Sequence, residues 1–258
     1  MYVLARRTLP LILVCAVATA WPRVVPTRSE ATQHQRVSIG CPADGQAGPI
    51  EAPEANARSV PAAERLPETV AYYKGEQAPG AFAPRGWQCH VWYGSGGGIL
   101  LVTPDAQKPV NGTAWPAVSG EAVELTFHDS GASGRYQAQE YSLFFFHTRQ
   151  EFRRWVEGTG FNFLNPYEDF KNDSIKIRGR TVAEFITPPS TTGFGTAQFL
   201  RPSTDTIEGT AVFGNSKAYG EYLVVLRIRL SQTKSQLKTE LLRLNRTCIL
   251  ESRGCSTP

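Results

Sequence analysis

Two strand-like runs joined by a string of glycines constrain this chain more than any other feature. In Trp87-Gln88-Cys89-His90-Val91-Trp92-Tyr93, the residues Trp87, Cys89, Val91 and Tyr93 recur at period two and so share one face of a strand. Gly94-Ser95-Gly96-Gly97-Gly98 then reverses the chain into Ile99–Thr103, and Pro104 ends the second run. Strand, glycine turn and strand make a β-hairpin, which commits this part of the chain to antiparallel pairing.

Other runs follow the same pattern. Ala122 to His128 alternates Val123, Leu125 and Phe127 with Glu124 and Thr126. Ser174–Ile177 and Thr181–Thr187 flank Arg178-Gly179-Arg180 as a second hairpin, and Ile207–Phe213 with Tyr222–Leu230 make a third across Gly214-Asn215-Ser216. In the last strand Tyr222, Val224, Leu226, Ile228 and Leu230 line one face, and Arg227 and Arg229 emerge on the other.

Helical signals are fewer. Pro67–Tyr73 reads as a short helix with Pro67 at its first position and Gly75 stopping it. Tyr136–Phe146 is apolar and aromatic enough for a helix. Thr148-Arg149-Gln150-Glu151 is a capping box that opens another, with Phe152, Trp155 and Val156 as its buried stripe and Gly158 at its end. A final helix from about Thr233 to Leu244 places Leu237, Leu241 and Leu244 together. Hairpins with a helical pair in the middle and a helix at the end predict the α+β class: an antiparallel β-sheet built from hairpins with helices packed on one face.

The N-terminus speaks to destination. Arg6 and Arg7 precede an apolar run, Leu9 to Ala20, which closes on Ala18-Thr19-Ala20, so residues 1–20 read as a cleavable secretory signal peptide. The run is shorter than the roughly 20 residues a spanning helix needs, and no later segment is apolar enough to anchor the product. The expectation is an exported protein, periplasmic or extracellular, with no transmembrane anchor after cleavage. Residues 21–60, rich in Pro, Ala, Gln, Ser and Arg, read as a flexible N-terminal arm, with Val37-Ser38-Ile39 as an optional edge strand. Residues 61–258 then form a single domain.

Cysteine usage agrees with export. Cys15 leaves with the signal, and Cys41, Cys89, Cys248 and Cys255 remain, an even number that suggests two disulfides among three possible connectivities. Nearness in sequence favours Cys41–Cys89 and Cys248–Cys255. On a chain-entropy argument the first loop contributes about 4 kcal/mol and the second about 2.5 kcal/mol.

Charge excludes one class of partner. Cleavage removes two of the 27 basic residues and none of the 23 acidic ones, leaving about +2, too balanced for nucleic acid. No cofactor motif is present.

A resemblance adds to this. Ala83-Pro84-Arg85-Gly86-Trp87-Gln88-Cys89, Tyr93-Gly94-Ser95 and Leu101-Val102-Thr103-Pro104 resemble a segment of a group of uncharacterised exported bacterial proteins. Thr187-Pro188-Pro189 with Gly193-Phe194-Gly195-Thr196 is similar to a later segment of the same group, so the likeness spans residues 65–230. It implies a bacterial origin and carries no activity.

Candidate sites are weighed by chemistry. Asp129-Ser130-Gly131 echoes the end of a serine-protease nucleophile loop, which makes His128, Asp129 and Ser130 the candidates for a secreted hydrolase. His128 nevertheless stands where a glycine would help shape an oxyanion hole, and Ser95 lacks the G-x-S-x-G elbow. His90, His128 and His147 with Asp129 or Glu151 lack metal-ligand spacing, so no metal is expected. Asp105, Glu124, Asp129, Glu140, Glu168, Asp169 and Glu184 offer carboxylate pairs that nothing singles out. Asn111, Asn172 and Asn245 begin N-x-S/T triplets that matter only in a glycosylating host.

The aromatic hairpin is the remaining candidate. Trp92 and His90 face away from Trp87, Cys89, Val91 and Tyr93, beside the turn that carries Ser95. An exposed Trp there suits a sugar ring or an apolar partner; a central strand packed on both faces explains the same pattern. The reading is a non-enzymatic binding module with Trp92, His90 and Ser95 as its contact residues, serving an envelope protein or a small ligand.

Overall fold

The computed structural model describes residues 37–55, 66–77, 79–106, 117–128, 144–145, 170–216 and 220–251. Its strands are β1 (Ser38–Gly40), β2 (Ala43–Gly45), β3 (Gly48–Ile50), β4 (Val70–Lys74), β5 (Ala81–Pro84), β6 (Gln88–Gly94), β7 (Gly97–Thr103), β8 (Ala122–His128), β9 (Ser174–Arg178), β10 (Val182–Thr187), β11 (Ile207–Ser216) and β12 (Gly220–Arg229). A helix, α1 (Ser235–Glu251), follows. The fold is the expected α+β one: a large, mainly antiparallel sheet of hairpins with a C-terminal helix packed on one face.

Nine strands form the large sheet in the order β3-β2-β6-β7-β8-β12-β11-β10-β9. The three expected hairpins are there as β6–β7, β9–β10 and β11–β12. Gly97 holds the first together: its φ is +140°, and a Cβ there would lie 1.8 Å from the Phe127 carbonyl oxygen. Only glycine tolerates both. In the third hairpin Gly214-Asn215-Ser216 is not the turn. The ladder runs through it to Ser216 opposite Gly220, because the Tyr222 ring lies over Gly214 where a side chain would otherwise stand.

A three-stranded sheet, β1-β4-β5, packs with the inner face of the large one. Here the sequence reading needs correcting: Pro67–Tyr73 is not a helix, since Val70 to Lys74 is β4, parallel to β1 and antiparallel to β5. Val70, Ala71, Tyr72 and Tyr73 are all fully buried. A two-sided central strand accepts four consecutive buried residues, whereas a short surface helix exposes part of its circumference. The polar ends find backbone partners, with the Tyr72 hydroxyl accepting from Gly80 N–H and the Tyr73 hydroxyl donating to the Pro84 carbonyl.

The optional edge strand at Val37-Ser38-Ile39 is there as β1 at the edge of the small sheet, and residues 43–50, read as part of the N-terminal arm, add β2 and β3 to the large one. Cys41 between them is fully buried and disulfide-bonded to Cys89 on β6. Cys248 is disulfide-bonded as well, and Cys255, its expected partner, lies outside the described residues. So do the signal peptide and, except for Phe144 and Phe145, the two central helices expected at 136–158.

The inner face of the large sheet carries Val91, Leu100, Val102, Val123, Leu125, Val224, Leu226 and Ile228, packed with Leu241, Leu244 and Ile249 of α1. The helix is longer than expected because its stripe continues past Leu244 through Cys248 and Ile249. Asn245, 1 % exposed, fastens it: its Oδ1 accepts from Phe82 N–H at 2.8 Å and its Nδ2 donates to the Phe82 carbonyl at 2.9 Å. The side chain thus stands in for a neighbouring strand at the free side of β5. A glycan on Asn245 is excluded by that burial.

Candidate functional site

The opposite face of the large sheet is built differently. Pairing registers align His90, Leu101, Glu124 and Arg227 in one row, and Trp92, Ile99, Thr126 and Val225 in the next. Arg227 and Arg229, which alternation places on the outward side of β12, do not emerge into solvent; both are 0 % exposed, as is Glu124. A buried charge is costly unless paired and hydrogen-bonded, so the partners matter.

Arg227 Nη1 lies 3.1 Å from Glu124 Oε1 and donates to Thr126 Oγ1 at 2.8 Å, while its Nε donates to the Phe194 carbonyl at 3.0 Å. The guanidinium also sits 4.7 Å from the centre of the Phe194 ring. Glu124 uses its other oxygen to accept from Phe199 N–H at 3.0 Å. Arg229 donates to the carbonyls of Gly120, Arg201 and Val118, each at 2.6 Å. Strand side chains therefore satisfy the backbone of two irregular segments, 118–120 and 194–201, which have no continuous ladder of their own.

Asp173 and Thr187 complete the array. Asp173 Oδ2 accepts from Phe194 N–H at 2.5 Å and Thr187 Oγ1 from Gly195 N–H at 2.8 Å. Burial pushes the Asp173 carboxyl above its usual range, against the opposing pull of the Phe194 N–H, the Thr187 hydroxyl and the Arg227 charge. A Cβ at Gly193 would meet Asp173 Oδ1 at 2.2 Å and Thr187 Cγ2 at 2.6 Å, so a side chain there would displace the Asp173 carboxylate.

The pinned segment delivers Phe199 to the hairpin. Phe199 is 3 % exposed and meets Trp92 edge-on, with ring centres 4.8 Å apart and planes at 77°. Trp92 is half-buried and also packs against the His90 ring, with ring centres 4.5 Å apart. His90 Nε2 lies 3.1 Å from Asp44 Oδ2 of β2, where the two side chains are 28 % and 50 % exposed. The result is an amphipathic patch, Asp44, His90, Trp92 and Ile99, braced from beneath by Phe199. Ser95 is exposed at the hairpin tip, beyond the patch.

The structure separates other candidates. His90 and His128 share a face, but β7 lies between their strands and their rows are four residues apart. That puts them about 13 Å apart along the strands and about 10 Å across, so they do not share a metal. Among the described residues no three His, Cys, Asp or Glu side chains gather as a metal site. His128 ends β8 opposite Gly97 and Leu223. Asp129 and Ser130 lie outside the described residues, so the hydrolase constellation gains no geometric support. Among the described residues Glu124, one carboxylate among several in the sequence, is the one that forms an ion pair with a buried arginine. The signal that finds it is its register with Arg227, which pairing supplies and composition does not.

Among the described residues no helix is long and apolar enough to cross a membrane. No family model, curated protein or solved structure matches this chain.

Proposed function

We propose that this chain is an exported, non-enzymatic interaction module, periplasmic or extracellular, whose contact surface is the Asp44–His90–Trp92 patch of the β6–β7 hairpin. The carrying observation is that Trp92 is only partly buried while the Phe199 and His90 rings pack against its ring. A pre-set aromatic loses little conformational entropy on binding. Export is supported by the signal-like residues 1–20 and by the Cys41–Cys89 disulfide, which suits an oxidising compartment. The short likeness to exported bacterial proteins points the same way.

The ligand this patch fits has a flat apolar face with polar groups on its rim, as a pyranose ring has. Its apolar face stacks on Trp92, and its hydroxyls reach Asp44, His90 and, at the tip, Ser95. The test is a panel of bacterial envelope glycans probed with the secreted protein and with Trp92→Ala, whose fold is checked by circular dichroism. Binding weakened by about tenfold or more in the variant, a loss of roughly 1.4 kcal/mol, supports the reading. Equal binding by both proteins, or none by either, contradicts it.

A further inference from the structure

The far edge of the large sheet carries a feature the hairpin reading does not use. All five residues of β9, Ser174-Ile175-Lys176-Ile177-Arg178, are exposed, and among the described residues no strand pairs with its outer side. Ile175 and Ile177 are 39 % and 47 % exposed, and Ile186 on the neighbouring β10 is 43 % exposed. Six strand spacings separate β9 from β6, about 29 Å, so this edge is independent of the Trp92 patch.

Charge narrows what such an edge accepts. Lys171, Lys176, Arg178 and Arg180 are all exposed around it. The nearby acid, Glu184, is already taken by Arg178 at 3.1 Å and by Arg246 at 2.5 Å. Asp173 is turned inward to Phe194 N–H. Among the described residues Lys171, Lys176 and Arg180 have no acidic partner. A second copy of the chain fits poorly, because antiparallel self-pairing centred on β9 sets Lys176 against Lys176, and directly opposed like charges destabilise a sheet. Alternation supplies the rest: Ile175 and Ile177 project on one face, and Lys176 and Arg178 on the other.

We propose that β9 is a strand-addition site for an extended acidic peptide whose residues alternate apolar and carboxylate side chains. Backbone hydrogen bonds along the open edge provide the attachment. The apolar residues cover Ile175 and Ile177, and the carboxylates meet Lys176 and Arg178, the general mode by which a sheet edge receives a peptide. The inference stands apart from the glycan reading and does not depend on it.

The probe is a synthetic ten-residue peptide alternating valine with glutamate, compared with one in which lysine replaces glutamate, followed by fluorescence anisotropy and by amide exchange of β9 in the full secreted chain. Binding of the acidic peptide alone, slowed exchange across residues 174–178, and weakening by about tenfold or more in both Lys176→Glu and Ile177→Lys support the proposal. Salt of about 0.5 M should weaken binding further. Both substitutions sit on exposed positions, and the wild-type thermal transition serves as the check that they fold. Four outcomes overturn the proposal: no binding of the acidic peptide; equal binding of both peptides; protection in the free chain of the outward β9 amides, those not bonded to β10; or retention on anionic-lipid vesicles in place of the peptide.

Discussion

The two faces of the large sheet are buried by different chemistry. The inner face is covered by α1 and the small sheet, and Val123, Leu125, Val224, Leu226 and Ile228 meet other apolar groups there. The outer face is covered in its middle by irregular chain, and Glu124, Arg227 and Arg229 meet backbone carbonyls and N–H groups there, while Thr126 accepts from Arg227. A helix satisfies its own backbone and asks the sheet only for apolar area; an irregular segment brings unpaired polar groups and needs partners for them. The polar alternation of β8 and β12 is the sheet's half of that requirement.

The contrast can be broken most strongly at Glu124. Glu124→Ala should destabilise the protein by about 3–5 kcal/mol, because Arg227 is left charged and buried without its partner. It should also loosen Phe199 and change the Trp92 indole resonance, as read by urea unfolding and by NMR. Leu226→Ala, fully buried on the inner face, should cost about 2–4 kcal/mol through a cavity and leave that indole resonance in place. If both variants disturb Trp92 equally, the two faces are not independent.

A smaller effect sharpens the comparison at the sheet's rim. Burial acts to raise the Glu121 carboxyl, but the Lys234 ammonium and the Ser231 N–H outweigh it and hold the group below its usual range. A depressed carboxyl stabilises the fold above its unfolded pKa and loses that contribution as pH falls through the folded value. Glu121→Gln should therefore cost no more than about 1 kcal/mol near neutral pH and nothing in acid. Melting temperatures across an acid-to-neutral series provide the check, and a pH-independent difference would remove the ionic explanation.

How far the sequence discloses this structure follows from the same contrast. The β6–β7, β9–β10 and β11–β12 hairpins and the Leu241–Leu244 stripe are legible because apolar periodicity alone specifies them. Val70–Lys74 is not, since an unbroken buried run of that length lacks a period to distinguish strand from helix. Strand β1 is legible only as the optional edge strand at Val37-Ser38-Ile39, and β2 and β3 escape notice, because three-residue segments rich in Gly and Pro carry almost no periodic signal; the disulfide and the parallel pairing with β4 and β6 hold this stretch in place. Arg227 and Arg229 look like a solvated face because single-chain alternation does not reveal that residues 118–120 and 194–201 return to cover them. The hairpin's outward aromatics, Trp92 and His90, are readable in outline. Their support, Phe199 held by Glu124, depends on contacts 75 residues apart in sequence and is visible only once the strands pair.

Hydrogen exchange at Phe199 tests the central claim most directly. In a Glu124→Leu, Arg227→Met double variant both charges are removed together, so the sheet should keep close to wild-type stability. The Phe194 carbonyl and Phe199 N–H should nevertheless lose their partners, and a charge-assisted bond corresponds to roughly 1.5–3 kcal/mol. The account predicts that the Phe199 amide exchanges about 10–100 times faster while the amides of Val224 to Ile228 are unchanged. A Phe199 amide as slow as in the wild type would contradict it, because the segment beneath Trp92 would then be held by something other than the buried pair.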